Sequence, residues 1–502
     1  MRLKCSKTLF YAVALINILF IFARVYNAFL DWDVGVKNKL SKGPSKPTLT
    51  KRLSRLVTVI IREFESNEND VLSTAQNFLN FFPSMVVWVL YNDVIYPPLD
   101  LVATNNSQKN IRLHNLSPNL KGKFDVAYHI NTKYVLFVPD AVKITSRLPL
   151  NNMVSRLESY QDRLVALGVN DHLDLKCLKI HLNIREWSLK YSSSKGVTCD
   201  GVSGKHLLMM EKAVMQKLHD PFLFPFPQAL YVQTAAQNLK VSIIKGFSVF
   251  IGRPILRSHH SQIKKKQNDR ENFKKFYHVF KIKQVIRENG ATEWYGCSRD
   301  TNMCFGSVIN SMPSYLYERR WTPPCCLTNL RKTARHVFAT LDETGIRYWL
   351  EAGSLLGAMR SGDILPWDHD VDVGYMRDDL LRCKALKRAT DKPTVDKKGF
   401  RFLWEKATEG NFYRVFFSRT NRIHVNLFPF YTKNGTMVKD SWFTGHKNVE
   451  FSESFLHPMS SIDFVGRSVP SPNNIRDFLE LKFGKGCIEN PQYPDPSKMS
   501  FP

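Results

Sequence analysis

Acidic residues are scarce in this 502-residue chain: 45 Asp and Glu stand against 71 Lys and Arg, a formal net charge of +26. Such a balance suggests anionic partners, whether nucleic acid, an anionic membrane surface, or phosphorylated substrates and polymers. No zinc-finger, homeodomain or RNA-recognition pattern occurs, which leaves nucleic acid the least supported of these. A full-length membrane span is missing near the N-terminus. Leu9–Ala23, LFYAVALINILFIFA, has only Asn17 polar but stops at fifteen residues, short of a typical span. A cleaved signal peptide would need a small-x-small site, and none follows cleanly. Arg24 can snorkel, and Val25–Leu30 can extend the helix. Basic Arg2, Lys4 and Lys7 ahead of the run favour a cytosolic N-terminus and a lumenal body, hence a type II anchor. A short span suits the thin membranes of the early secretory pathway.

Cysteine is sparse as well, nine in the whole chain. In a lumen, the separation of Cys177 and Cys199 suits a disulfide closing a short loop, with free buried thiols as the alternative. Asn105, Asn115 and Asn434 each begin an N-glycosylation sequon. Cys297, Cys304, Cys325 and Cys326 fall within thirty residues of one another. Four thiols so placed can close a structural zinc site or form two disulfides, and spacing alone leaves both open.

Length exceeds one ordinary core, so at least two domains are expected. Residues 1–30 read as cytosolic tail and anchor, and 31–50, rich in Lys, Ser and Pro, as a stem linker. Residues 51–255 alternate strand-like runs (Leu56–Glu65, Met85–Asp93, Phe124–Ile130, Tyr134–Val142) with helical stretches such as Val71–Phe82. This predicts an α/β domain with a mainly parallel sheet. Its order resembles the start of a nucleotide-sugar glycosyltransferase of the GT-A type. There a strand like Leu136–Val138 leads into a pair of metal-binding aspartates, and here it leads to a lone Asp140. A catalytically silent or acceptor-positioning module is expected. Residues 256–289 form a basic stretch with interleaved aromatics, predicted as an exposed linker helix, and 290–502 form the second domain.

The second domain is organised around Trp349–Gly374, WLEAGSLLGAMRSGDILPWDHDVDVG. Leu327, Leu330, Ala334, Val337, Phe338 and Leu341 recur at helical spacing before it, and Gly345 stops that helix. A short strand, Arg347–Leu350, then runs into Gly353-Ser354, where glycine admits a ligand to the backbone and a new helix presents free N–H groups to an anion. Asp368, Asp370 and Asp372 alternate beyond Pro366. On a strand they share one face, Asp370 and Asp372 roughly 7 Å apart along the backbone. A solvated acidic edge is the plain reading. Three carboxylates on one face repel unless a cation joins them, which favours a metal–phosphate site.

This order resembles the nucleotidyltransferase fold, and the run GSLLGAMRSGDILPWDHDVDVG resembles the LicD family of phosphotransferases. YGCSRDTNMCFG (295–306), YLYERRWTPPCC (315–326), RYWLEAGSLLGA (347–358) and FLELKFG…IENPQYP (478–494) narrow the resemblance to the fukutin-related ribitol-5-phosphate transferases. The resemblance implies transfer of ribitol 5-phosphate from CDP-ribitol to a phosphorylated O-mannosyl glycan on α-dystroglycan, at the Golgi membrane and also the ER. It further implies a related fukutin-like transferase as partner, homo-oligomerisation, and no role for nucleic acid. In residue terms it implies Mg²⁺ (or Mn²⁺) on Asp370 and Asp372 with Asp368 in support, Gly353 and Ser354 bordering a phosphate, and structural Zn²⁺ on Cys297, Cys304, Cys325 and Cys326. Arg360, Lys406, Arg414 and Lys482 are candidate phosphate or glycan contacts. Family members carry a third carboxylate in a His-x-Asp segment; this chain has His424-Val425-Asn426. Asparagine offers a neutral oxygen but cannot serve as a general base. Asp368 or His424 then takes the proton, or acceptor activation is slower, or the chain binds its donor without turnover and acts as a glycan-binding or scaffold protein. Ala352 replaces a glycine common in relatives. A LicD-like chain using another CDP-linked donor, such as one carrying phosphocholine, is the enzyme alternative.

Overall fold

The structure is a computed structural model that describes residues 46–99, 109–116, 126–159, 163–169, 175–252, 255–301, 304, 308–309, 312–396, 401–440 and 450–490. The expected membrane anchor, most of the stem linker and the Asn105 sequon lie outside the described residues. Among the described residues no helix is long and apolar enough to cross a membrane.

The chain divides into two compact units. The first comprises Met1–Leu173, Lys205–Lys217 and Ile244–Ile255. Its central strand, Val57–Ile61, is buried at every position, the pattern of a strand covered on both faces. It runs parallel to Val87–Tyr91 on one side and Tyr134–Val138 on the other, and Ile111–Asn115 extends the parallel edge. Beyond Tyr134–Val138 the sheet turns antiparallel through His206–Glu211 and Leu164–Val169, so it is mixed. The stretch expected as a strand at 124–130 is instead a one-turn helix, Val126–His129. Its burial runs two in, two out, which suits a helical turn and not strand alternation. Asp140 is buried and accepts hydrogen bonds from the backbone N–H groups of Asp70 (2.9 Å) and Ala141 (2.7 Å). Its oxygens tie a strand end to a helix start, a structural task for the carboxylate that lacks a partner.

The second unit comprises Asp174–Gly204, Leu218–Ile243 and Leu256–Pro502. Residues 174–204, grouped by sequence with the first domain, therefore pack with the C-terminal part. Ser188–Ser194 pairs parallel with Gln284–Ile286, and the Trp187 indole N–H donates to the Trp321 carbonyl at 2.7 Å. Cys177 and Cys199 form a disulfide in this region. The basic helix His259–Val279 is capped by Ser258, whose hydroxyl accepts from Ser261 N–H, and it buries only Phe276 and Tyr277.

The C-terminal sheet positions the site. Helix α1 (Pro324–Glu343) starts with Pro at N1, as a helix tolerates, and buries the predicted stripe. Gly345, at φ 66°, ends it where a side chain would be strained. Then follow β1 (Tyr348–Leu350), α2 (Ala352–Ser361), β2 (Asp370–Met376), α3 (Lys384–Asp391), β3 (Leu403–Lys406), β4 (Tyr413–Phe416), β5 (His424–Lys433), β6 (Thr436–Lys439) and α4 (Ile475–Phe483). The sheet order is β1-β2-β5-β4-β3, then Thr394–Val395, with β6 pairing β5. Only β2 and β5 are parallel neighbours within this row. Val371, Val373, Val415, Val425, Leu427 and Trp404 join the α1 stripe in one core. On the alternate face, Gly374 lets the Trp349 indole cross the sheet; a Cβ there would stand 2.5 Å from the ring. Trp349, Phe430 and Phe451 then pack together, with Phe478 of α4 4.8 Å from Phe451.

Candidate active site

Strand register assembles the site. β2 against β5 sets Asp370 beside His424 and Asp372 beside Asn426, and β4 and β3 continue that second row with Arg414 and Glu405. Cross-strand partners share a face, so the three-aspartate alternation and the Asn426 segment meet on one side of the sheet. Asn426 is 5% exposed, and its amide N–H group donates to Asp370 Oδ2 and Asp372 Oδ1, both at 2.9 Å. Its Oδ1 accepts from Arg414 Nε at 3.3 Å, and Arg414 is ion-paired with Glu409. Asparagine thus stands between the carboxylates as a donor, easing their repulsion.

The Gly-Ser turn works on these residues directly. A Cβ at Gly353 would lie 2.9 Å from Asp368 Oδ2, so glycine leaves the room that this carboxylate fills. The buried Ser354 hydroxyl accepts from Asp372 N–H at 2.8 Å and pins β2 to α2. Ser354 therefore positions a candidate metal ligand. Ala352, at φ 46°, sits in the left-handed region, which accounts physically for a preference for glycine there. Ligand atoms of Asp368, His369 and Asp370 all fall within 4.8 Å of one another.

Burial, then the charges of Asp370 and Asp372, pushes the Asp368 carboxyl well up. Burial and Asp370 push Asp372 to about 7, while Asp370 itself is held low against its own burial, chiefly by His369 and His424. Burial lowers His424 to about 4, so its ring is neutral at pH 7. His424 Nδ1 is 2.9 Å from the Arg422 carbonyl, which marks Nδ1 as the protonated nitrogen and leaves Nε2 as an acceptor. A raised carboxyl favours the folded state while protonated. Its contribution is full below the unfolded value near 3.8 and is lost as pH rises towards 7. Metal-free protein in EDTA is expected to melt at lower temperature at pH 8 than at pH 5. Millimolar Mg²⁺ is expected to recover the loss at pH 8, as differential scanning fluorimetry would read. An unchanged pH 8 melting temperature on Mg²⁺ addition counts against a cation at this cluster.

Other expected site residues land differently. Arg360 lies over the Trp367 ring at 5.9 Å, beside the start of the aspartate run. Lys406 is in register with Tyr413, and through it with Leu427 and Val373, so it belongs to the face opposite Asp372. Lys482 is buried and ion-paired with Glu351, its ammonium near the Phe478 ring, so it is a structural cation and no phosphate contact. Asn434 is exposed in the two-residue turn between β5 and β6, with Asn434 and Gly435 at φ 52° and 74°. Sequence reading missed Lys439, Phe412 and Phe428. The Asn-Gly turn was the available signal, because it fixes the hairpin register that sets Lys439 opposite Phe430.

The four clustered cysteines converge. They pair as Cys297–Cys325 and Cys304–Cys326, and across the pairs Cys297 Sγ lies 3.8 Å from Cys326 Sγ. Asn421 Nδ2 donates to Cys304 Sγ at 3.2 Å, and Cys325 and Cys326 sit in the first turn of α1.

A Gly-Ser helix start feeding a strand with Asp-x-Asp on its half-buried face defines a nucleotidyltransferase-type phosphotransferase site. The LicD/FKTN/FKRP nucleotidyltransferase domain matches residues 345–474, and the fukutin-related protein stem domain matches residues 44–288. The chain is 39% identical over 469 residues to mouse Ribitol 5-phosphate transferase FKRP, covering 93% of each chain. It is 38% identical over 506 residues to the human protein of the same name, covering all of this chain and 99% of that one. An uncharacterized protein of Rickettsia prowazekii is 34% identical over 147 residues, 28% of this chain and 50% of its own. This chain belongs to the fukutin-related protein family, and it is a transferase.

Proposed function

We propose that this chain transfers ribitol 5-phosphate from CDP-ribitol to a phosphorylated O-mannosyl glycan, that of α-dystroglycan, and releases CMP. The observation that carries this reading is the convergence of Asp368, Asp370 and Asp372 on one side of the sheet, with Asn426 and Arg414 in the row of Asp372. An acceptor oxygen forms a bond to the ribitol-bearing phosphorus while the bond to the CMP oxygen breaks, and the acceptor proton goes to a base. Of the two candidate bases, Asp368 is favoured over His424, because its carboxyl is held well above the usual range while burial lowers the imidazole to about 4. Asp370, held ionised while its charge pushes Asp368 and Asp372 up, makes with them a carboxylate cluster that fits a divalent cation, which Asp370 and Asp372 would hold. When bound, Mg²⁺ or Mn²⁺ neutralises phosphate charge. Arg414, tethered through Asn426, adds a fixed positive charge beside that row.

Asn426 supports a second reading, donor binding without turnover. The full-length protein incubated with CDP-ribitol, Mg²⁺ and the phosphorylated acceptor glycan separates the readings. CMP release by the native chain, increased by about 10-fold or more in Asn426→Asp, is the expected outcome. Donor binding with no CMP release, restored only by Asn426→Asp, selects the second reading. Release from CDP-choline and not CDP-ribitol points to another donor.

The chain acts, on this reading, from a type II anchor with its body in the Golgi lumen, where the exposed Asn434 is open to glycosylation. With its thiols reduced, the cysteine cluster would hold structural zinc in place of the Cys297–Cys325 and Cys304–Cys326 disulfides that the structure shows. A tetrahedral site with Zn–S of about 2.3 Å has sulfur–sulfur edges of about 3.8 Å, and the crossed Cys297–Cys326 pair matches that edge. The α1 N-terminus and the Asn421 amide both favour thiolate sulfur. Metal analysis of protein purified without chelator is expected to find about one zinc per chain. No zinc together with four oxidised thiols establishes the two disulfides instead.

A further inference from the structure

Lys439 ends β6 and pairs with Phe430, which puts it on the sheet face that carries Asp372 and Asn426. It is partly buried, and its ammonium lies 3.3 Å from the centre of the Phe428 ring. Phe428 stacks at 5.0 Å on Phe412, whose ring carries Arg414 at 4.9 Å. Two cations therefore flank one aromatic pair at the edge of the carboxylate row. They differ in one respect. Arg414 is satisfied by Glu409 and Asn426. Lys439 makes no hydrogen bond and no ion pair within 4 Å among the described residues. Burial disfavours its charge, and Asp372 is the group that opposes the loss.

A partly buried ammonium that rests on an aromatic ring and has no hydrogen-bond acceptor among the described residues is costly to hold unless an anion completes it. Asp372 favours its charge without an ion pair within 4 Å, and Asp372 Oδ1 accepts from the Asn426 amide. We infer that Lys439 is a phosphate-binding residue, contacting the diphosphate of a cytidine-diphosphate-linked donor from the side opposite Asp368 while the Phe412–Phe428 pair walls its stem. This rests on the proposed donor chemistry and assigns the diphosphate a direct contact outside the carboxylate row. An ammonium there neutralises the phosphate that departs with the nucleoside, so it acts on binding and on turnover together.

The test compares the full-length protein with Lys439→Met and Lys439→Arg, each titrated calorimetrically in Mg²⁺ with CDP-ribitol, CDP and cytidine. A charge-assisted contact of this kind predicts that Lys439→Met weakens CDP-ribitol and CDP about 10- to 100-fold. Cytidine affinity is expected to stay unchanged and the melting temperature not to fall, and Lys439→Arg to recover most of the loss. Equal weakening of cytidine, or CDP affinity unchanged in Lys439→Met, overturns the inference and leaves the proposed reaction standing. Native protein that binds CDP but not CDP-ribitol overturns the proposed donor and keeps the Lys439 assignment. Native protein that binds neither overturns both.

Discussion

Asp370→Ala is expected to abolish CMP release from CDP-ribitol, a fall of about 10³-fold or more, while the protein stays folded. The size follows from what the carboxylate does. Removing one of two strand-borne ligands to a divalent cation forfeits several kcal/mol of charge stabilisation on the transferring phosphoryl group, and about 1.4 kcal/mol is a factor of ten. Fold should survive because Asp370 holds no backbone element in place. Its side-chain partners are the Asn426 amide, which keeps Asp372 as an acceptor, and the Asp368 carboxyl. The substitution also removes the charge that pushes Asp368 and Asp372 upward. In EDTA at pH 8 the variant should therefore melt no lower than the native chain. The paired readout is CMP by chromatography and unfolding by fluorimetry. Activity within a few-fold of native would sink the assignment of Asp370 as a metal ligand; a large drop in melting temperature would show that the carboxylate is structural.

Lys482→Met is expected to have the largest effect on stability, about 3–5 kcal/mol, because it leaves Glu351 ionised and unpaired in the core. The two side chains are 11% and 4% exposed, so solvent screens the pair little. Glu351 also accepts from the Trp349 indole N–H at 2.9 Å, and its own N–H donates to the Asp372 carbonyl at 3.0 Å. The pair therefore holds α4 against the residue that precedes the Gly-Ser turn, and its loss should loosen donor binding too. Lys482→Met combined with Glu351→Gln removes both charges and keeps an acceptor for the indole. It should recover more than half of the loss in urea unfolding. A single-variant cost below about 1 kcal/mol, the range of exposed pairs, would mean that water reaches the ammonium.

Much of the site was readable before any fold was known. Period-two alternation put Asp368, Asp370 and Asp372 on one face, and helical spacing marked the α1 stripe. Gly353-Ser354 was recognisable as a strand-to-helix turn. What that turn does was not. Its glycine makes room for Asp368 and its serine holds Asp372 N–H, because the turn folds back over a strand that starts more than a dozen residues later. Asn426 stood out in the chain as a missing carboxylate, yet its part as a donor to both aspartates depends on the parallel pairing of β2 and β5.

The cations divide along the same line. Arg414, Lys406 and Lys482 were all candidates in the sequence, each alternatively a plain surface cation and Lys482 most of all, since a basic residue looks the same whatever it faces. Register sent Arg414 to the site and Lys406 to the opposite face, a choice one residue of slip would invert. Lys482 found Glu351 across 131 residues. Residues 174–204 joined the second unit because Ser188–Ser194 pairs with a strand near residue 285. Local pattern thus determined which short segments carry the chemistry, through spacing and turn residues that act within a few positions. Tertiary structure alone decided which charges meet and which are buried, because those depend on strand register and burial between segments far apart in the chain.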